Sequence, residues 1–403
     1  MSSRPRCILA FSGGLDTSLC VVYLREELGY DVITATVDTG GFDAAELEFI
    51  ATRSRELGAL EHITIDATGE LFQDWIRYII AANYLKGGVY PLCVGVERVV
   101  QAQHMIEIAR QHGAAAICHG STGAGNDQIR FDVVIQTIAP DLKIIAPIRD
   151  LGWGRAQEAD YLAKFGFEVD ASTKMYSINA GLWGTTIGGG ETKTSDGIVP
   201  PSVYPTSKKY GEAPKEHRDI TIGFEKGVPV SLDGERLAPI PLLRKLDDIA
   251  AAYGVGRGLH MGDTIIGIKG RIAFEAPAAL TIIDAHHELE KIVLTKWQTF
   301  VKDQVSSFYG LFLHEGKYLD PAMRDMEALL DSSQRAVTGE AVVRLQEGRH
   351  QVVATRSPHS LLDATRAAYG EESGLWNGRD AEGFAKIKSI QSMLAYRAGE
   401  GKN

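Results

Sequence analysis

The chain has 403 residues, is 44% hydrophobic and 23% charged, and carries a formal net charge of −10 at pH 7. That length predicts about two or three domains with a sizeable core, and the acidic balance argues against non-specific nucleic-acid binding while leaving room for small anions held by local positive charge. No apolar run reaches the roughly 18 residues of a membrane span. The first residues, Met1 to Arg6, run straight into an apolar stretch and leave no room for a signal peptide. The four cysteines, Cys7, Cys20, Cys93 and Cys118, are scattered without a Cys-x-x-Cys pair. The expectation is a cytoplasmic protein with buried thiols and no structural zinc.

The run Cys7 to Phe11 reads as a buried strand, and Ser12-Gly13-Gly14-Leu15-Asp16-Thr17-Ser18 follows it directly. Two glycines permit a tight turn and close approach of the backbone to an anion. Ser12, Thr17 and Ser18 add hydroxyls, and a helix over 17–28 adds free N–H groups and a favourable dipole. The loop therefore predicts a phosphate cradle. It lacks the spacing and lysine of a Walker loop, and the Gly-x-Gly-x-x-Gly dinucleotide pattern. Asp16 among the donors calls for a metal or a lysine to screen it from phosphate.

Further strands are expected at 31–37, 62–66, 115–119 and 143–147, and helices at 43–57, 69–84 and 95–112. Strands alternating with helices predict a Rossmann-like parallel sheet covered on both faces. Ligands then sit at the C-terminal strand ends, where the loops after residues 11, 37 and 119 converge. The last of these continues as His119-Gly120-Ser121-Thr122-Gly123-Ala124-Gly125-Asn126-Asp127-Gln128-Ile129-Arg130. Asn126 offers donor and acceptor, Asp127 an acceptor for an amine, and Arg130 a bidentate donor for a carboxylate. This set suits recognition of an amino acid.

A boundary is expected near 165–175. Residues 181–216, rich in Gly, Thr, Ser, Lys and Pro, read as one long functional loop. Antiparallel strands are expected over 219–232 and 264–284, with helices near 240–253 and 287–309. A terminal amphipathic helix is expected at 380–397, docked on its own core or on a partner subunit. His104, His286 and His287 lack metal-ligand spacing and read as core or surface histidines. Lys208-Lys209 reads as a solvated turn, and Trp153, Trp183 and Trp297 as packing residues.

The phosphate loop, Tyr90-Pro91-Leu92, the run Thr122 to Phe131, Tyr176-Ser177-Ile178, Leu182-Trp183-Gly184, Gly267 to Pro277 and Asp380 to Phe384 occur in this order along nearly the whole chain. Together they resemble the argininosuccinate synthase family of the N-type ATP pyrophosphatase group. The resemblance implies an α/β fold: a nucleotide-binding domain over 1–170, an α+β synthetase domain over 171–365, and a C-terminal tail with a helix over 366–403. It also implies an AMP-forming ligase in which ATP activates the ureido oxygen of citrulline, and the amine of L-aspartate then displaces AMP. Such a reaction is largely a matter of orientation and charge stabilisation.

By resemblance, Ala10, Ser12, Gly13, Gly14, Leu15, Asp16, Thr17, Ser18, Val37 and Gly120 bind ATP, with Mg²⁺ carried by the nucleotide rather than by protein ligands. Thr122, Asn126 and Asp127 match aspartate-binding residues. Tyr90, Gly95, Arg98, Asn126, Arg130, Ser177, Thr186, Gly262 and Phe274 fall at acceptor-binding positions. Asp16, Asp127 and Arg130 are the catalytic candidates. A homotetramer and a fumarate-releasing lyase acting on the product are the implied partners.

The acceptor positions depart from the family pattern. Tyr-x-Leu-Gly-Thr-Ser-Leu-Ala-Arg-Pro becomes Tyr90-Pro91-Leu92-Cys93-Val94-Gly95-Val96-Glu97-Arg98-Val99. Ser-x-Asp-Glu-Asn becomes Ser177-Ile178-Asn179-Ala180-Gly181. The glutamate and tyrosine that hold citrulline's amino-acid end are Gly262 and Phe274, the serine of Gly-x-Lys-Ser-Arg is Gly270, and a lysine of the second motif is Ala124. An ammonium buried without its carboxylate costs about 1.5–3 kcal/mol, or about 10- to 100-fold in affinity. Two enzyme readings follow: a ligase acting on another ureido or carbonyl acceptor that lacks the α-amino group, or a divergent synthase that keeps citrulline with Asp263 replacing the glutamate by a one-residue register slip. A non-catalytic binding paralogue is the third.

Overall fold

A computed structural model describes residues 4–167, 175–364 and 375–400. The expected domain boundaries at 170/171 and 365/366 lie outside these residues. Strands β1 (Arg6–Ala10), β2 (Asp31–Asp38), β3 (Glu61–Asp66), β4 (Ala116–Cys118) and β5 (Lys143–Ile145) form a sheet of order β3-β2-β1-β4-β5. Every pair in it is parallel. Cys7, Ile8 and Leu9 are all fully buried. Ile8 faces one core cluster while Cys7 and Leu9 face another, as alternation in a doubly covered strand requires. The order reverses between β1 and β4, so their C-terminal ends open the crevice where such sheets take ligands.

The helix after β1 spans Leu15–Glu26, two residues earlier at both ends than the expected 17–28. Ala44–Glu56 opens on a capping box between Asp43 and Glu46. The helical segment 68–82 carries one π turn at Phe72–Ile76, and Glu97–His112 closes on Gly113 in the left-handed conformation. Two further helices, Asp127–Ile138 and Arg155–Lys164, complete this half.

The remainder is α+β. Its strands are β6 (Tyr176–Gly181), β7 (Gly184–Gly189), β8 (Arg218–Glu225), β9 (Val228–Leu232), β10 (Glu235–Arg236), β11 (Arg257–Asp263), β12 (Lys269–Glu275), β13 (Gly339–Gln346) and β14 (Arg349–Arg356). They build two antiparallel sheets, β11-β12-β7-β6 and β10-β9-β8-β13-β14. The expected loop 181–216 therefore begins as a hairpin turned at Leu182-Trp183, where the Trp183 indole donates to the Pro91 carbonyl at 2.9 Å.

The expected strands over 264–284 hold only for β12, because Pro277 starts a helix, Pro277–Val293, with its missing N–H at a position that needs none. The single helix expected over 287–309 is two helices. Thr295 caps the second, Lys296–His314, through a box with Gln298. Helix Pro239–Ala252 lies as expected, and Pro321–Gln334 is an addition.

All four cysteines are buried and free. His286 is a core residue between Asn83 and Gln334, and His104 contacts Glu70. Trp183 is buried and Trp153 packs on Tyr161, but Trp297 is exposed, which corrects its reading as a packing residue within the chain. The terminal helix Gly378–Glu400 leaves Phe384, Ile387, Ile390, Met393 and Leu394 exposed, so it is not docked on the chain's own described core. Among the described residues no helix is long and apolar enough to cross a membrane.

Candidate active site

The loop after β1 is shaped by Gly13, whose φ of +73° only glycine adopts without strain, and by Gly14, which caps the following helix from an extended conformation. Thr17 Oγ1 donates to the Gly14 carbonyl at 3.3 Å and lies 3.3 Å from Ser12 Oγ, which braces the turn from within. Ala10 ends β1, and Val37 lies near the end of β2. Leu15 and Ser18 are buried, and the Ser18 N–H donates to the Gly14 carbonyl at 2.9 Å inside the helix. A Cβ on Gly120 would stand 3.0 Å from Thr17 Cγ2 and 3.5 Å from Thr17 N, which shows how closely the two loops meet across the switch point.

Asp16 occupies the first turn of Leu15–Glu26 and faces Glu158 of Arg155–Lys164. Burial first, and then the Asp16 charge, raise the Glu158 carboxyl to about 7. Glu158 Oε2 is buried without a conventional donor. Two carboxyls so placed repel each other unless a proton or a cation sits between them.

The second loop is anchored by His119. Its Nδ1 accepts from Ser121 N at 3.3 Å, which leaves Nε2–H to face Asp132 at 3.0 Å. Asp127 starts the helix Asp127–Ile138, and Arg98 Nε and Arg130 Nη1 donate to its two oxygens at 3.0 and 3.1 Å. Burial pushes the Asp127 carboxyl up, but the two arginines outweigh it and hold the group below the usual carboxylate range. Arg130, itself buried, also donates to the His314 carbonyl at 2.9 and 3.1 Å and to His314 Nδ1 at 3.2 Å. Asn126 Oδ1 accepts from Ile265 N at 2.9 Å and so ties this loop to the β11–β12 turn. Thr122 is exposed, and its carbonyl accepts from Gly125 N at 3.4 Å.

Beside these groups lies a cavity of about 280 Å³, at the lower end of small-molecule sites. Tyr90, Asn126, Asp127, Arg130, Thr186 and Gly262 line it among the predicted residues. One face of the sheet β11-β12-β7-β6 is its floor, with Asn179, Thr186, Phe274 and Gly258 in one cross-strand row. Ser177 is exposed and does not line the cavity; Asn179, two residues along on the same face, does. Phe274 is fully buried behind Tyr90, whose hydroxyl donates to the Cys93 carbonyl at 2.5 Å. Gly95 backs Arg130, where a Cβ would stand 3.5 Å from Nη2, and Arg98 reaches the site through Asp127.

Strand β11 pairs with β12 in unbroken register, Gly262 opposite Gly270 and Asp263 opposite Lys269. No bulge interrupts this pairing, and the Asp263 carboxylate, which also lines the cavity, meets Lys269 at 2.7 Å. Two other departures are one event in space. A Cβ on Gly181 would fall 1.8 Å from Glu97 Oε1, so the buried glutamate fills the room that a side chain at 181 would need. Glu97 Oε2 accepts from Thr39 at 3.0 Å, and burial raises its carboxyl to about 7 against the pull of Arg98.

Sequence reasoning missed Lys86, His260, His314 and Arg271 in the cavity wall. Lys86, His260 and His314 come from separate segments and form no local motif, while Arg271 lies in the block Gly267 to Pro277 without having been read as a site residue.

The description "Arginosuccinate synthase N-terminal HUP domain" matches residues 6–168, and "Arginosuccinate synthase C-terminal domain" matches 176–395. A protein of Methanocaldococcus jannaschii named argininosuccinate synthase is 39% identical over 387 residues, covering 96% of this chain and 97% of its own length. A second of that name, from Xanthomonas campestris, is 41% identical over 406 residues and 98% of each chain. A third, from Pyrococcus furiosus, is 38% identical over 396 residues, 98% of this chain and 95% of its own.

Proposed function

Because the chain belongs to the argininosuccinate synthase family of AMP-forming carbon–nitrogen ligases, we propose that it adenylates a ureido or carbonyl oxygen of a small acceptor other than citrulline and joins that carbon to the amine of L-aspartate. AMP and pyrophosphate leave, and the product is an N-succinyl adduct. A urea carbonyl is a poor electrophile with a poor leaving group. Transfer of AMP to its oxygen converts that oxygen into a phosphate-ester leaving group, and attack by the amine then expels AMP.

The observation that carries the acceptor part is the lack of a free carboxylate where an ammonium would need one. Position 262 is glycine, Asp263 is paired with Lys269, and Asp127 is held by Arg98 and Arg130. In this reading the residues at 12–18 cradle the phosphates, and Thr122, Asn126 and Asp127 hold aspartate. Arg130 fixes Asp127 and the ureido end of the acceptor. A divalent cation arriving with ATP fits the Asp16–Glu158 pair, whose orphaned buried oxygen and mutual repulsion it would relieve. It would supply charge neutralisation for the leaving pyrophosphate. The domain division at 170/171 and 365/366 belongs to this proposal. So does an assembly of identical subunits, supported by the exposed apolar stripe of Gly378–Glu400.

The test is AMP release from ATP with a panel of ureas and carbonyl compounds, with and without aspartate. Aspartate-dependent release is expected, with citrulline not the best acceptor. If citrulline gives the highest kcat/KM of the panel, the acceptor part is wrong and the chain is a divergent synthase; the names of its relatives favour that second reading. Asp127→Asn should raise the KM for aspartate at least about tenfold with ATP binding unchanged. Equal loss of both would remove the aspartate role from this loop.

A further inference from the structure

The head end of the cavity has a surplus of donors. Lys86, half-buried, donates from Nζ to the backbone carbonyl of Asp263 at 3.1 Å and has no carboxylate partner among the described residues. The two carboxylates that act on it are engaged elsewhere, Asp263 with Lys269 at 2.7 Å and Glu315 with Lys317 at 3.2 Å. Burial and the charge of Arg130 together push the Lys86 ammonium down to about 8, as expected of a cation in a cationic pocket without a counterion.

His314 adds a second donor. Its Nδ1 faces Arg130, which can only donate, so Nδ1 is the lone pair and Nε2 carries the hydrogen. That Nε2–H is buried and makes no well-formed hydrogen bond; the acceptor near it is the Asp263 backbone carbonyl, which already accepts from Lys86. A buried donor so poorly met, lining a cavity, marks a place for an acceptor atom from a ligand. His260 is the third. Its ring stacks on Tyr90 at 5.5 Å, and a Cβ on Gly262 would stand 2.7 Å from its Nε2. An imidazole, free to present its N–H, thus leans over the position where a carboxylate side chain at 262 would begin.

We propose that Lys86, His260 and His314 form an oxyanion subsite, so that the acceptor carries a carboxylate or phosphonate head and no ammonium. The inference rests on the ligase reading above for the place of the cavity, and it names the acceptor's chemical class. An anion there completes the coordination of Lys86 and His314 Nε2. An ammonium there meets Lys86 and the two imidazoles, while the carboxylates that line the same cavity, Asp127 and Asp263, are already paired with Arg98 and Arg130 and with Lys269.

The experiment is calorimetric binding to the full chain holding a non-hydrolysable ATP analogue, with four matched ureas. These are 5-ureidopentanoate, 4-ureidobutylphosphonate, the uncharged butylurea, and citrulline, which adds an ammonium to the first. The anionic ureas should bind at least about tenfold tighter than butylurea and citrulline. Whichever of the two binds tighter identifies the head as carboxylate or phosphonate. Lys86→Met should remove most of that advantage and Lys86→Arg should retain it. Butylurea or citrulline binding as tightly as the anions, failure of both anions to bind, or an advantage that survives Lys86→Met each overturns the subsite. The ligase reading fails by a different result, the absence of aspartate-dependent AMP release from any acceptor.

Discussion

Gly181→Ala is the most revealing single change, because its partner is visible. The new Cβ would lie 1.8 Å from Glu97 Oε1 and 2.7 Å from Cδ, far inside any tolerated contact. Glu97 sits in the first turn of Glu97–His112, so its carboxyl must swing away. That breaks the 3.0 Å bond from Thr39. Overpacking in a filled interior costs about 1–3 kcal/mol, and a lost hydrogen bond to an acidic group adds about 1 kcal/mol. The single variant should therefore lose about 2–4 kcal/mol. By the per-residue entropy of unfolding, a chain of this length shifts about 1 °C in Tm per kcal/mol, which predicts a drop of roughly 2–4 °C. Glu97→Ala alone removes a costly buried carboxyl and leaves a small void, two effects that largely offset. In that background the methyl at 181 enters vacated space, and Gly181→Ala should be nearly silent. Thermal melts of the wild type, both single variants and the double variant measure the coupling, expected at 1 kcal/mol or more. A Tm drop of the same size with and without Glu97 would refute the idea that the two departures compensate.

Two further outcomes follow from the same geometry. Glu97 has its carboxyl raised from 4.5 to about 7, so between those values the folded chain holds a proton that the unfolded chain has released. Stability from this group is full below pH 4.5 and falls as pH rises to 7, by an order-of-magnitude figure of about 1–3 kcal/mol. Glu97→Gln should accordingly match the wild-type Tm near pH 5 and exceed it at pH 8; a pH-independent difference would contradict the assignment. Gly13→Ala forces a φ of +73° on a residue with a Cβ and sets that Cβ 3.1 Å from Ile50 Cγ1. The strain of about 1–2 kcal/mol should weaken ATP binding about tenfold in a calorimetric titration, and unchanged affinity would mean the loop is not the nucleotide site.

The parallel sheet is legible in the sequence because its inner strands are short apolar runs between helices and its edge strand β3 alternates, patterns that local physics alone produces. The phosphate loop is legible for the same reason, since its glycines answer to backbone geometry at one place. Helix Asp127–Ile138 is not, because the glycine-rich run before it hides the apolar face of Phe131, Val134 and Ile135 until the core they enter is known. The stretch after β12 is a nearly continuous apolar run that imitates a buried strand, and Pro277 at a helix start tells otherwise. The cavity wall is the least legible part. Lys86, His260 and His314 are brought together by tertiary structure, and so are Glu97 and Gly181. No spacing rule links residues that far apart, and each looks ordinary alone.

That difference also explains where the chain departs from its family. The groups proposed to hold nucleotide and aspartate hang on the switch point between β1 and β4, where the loops depend on backbone conformation and on the close approach of Gly120 to Thr17. A change there disturbs the path of the chain itself. The proposed subsite for the acceptor's head instead lies at side chains on one face of a separate antiparallel sheet, whose hydrogen-bonded ladder is indifferent to what each residue projects. Facing glycines at 262 and 270 leave the β11–β12 register intact while emptying that face, and His260 leans into the space. In the proposed reaction, adenylation and amine attack take place at the ureido end, beside groups on the parallel half. The head of the acceptor can therefore change from zwitterion to anion without altering the reacting geometry, provided the new head binds strongly enough to hold the ureido carbon in line.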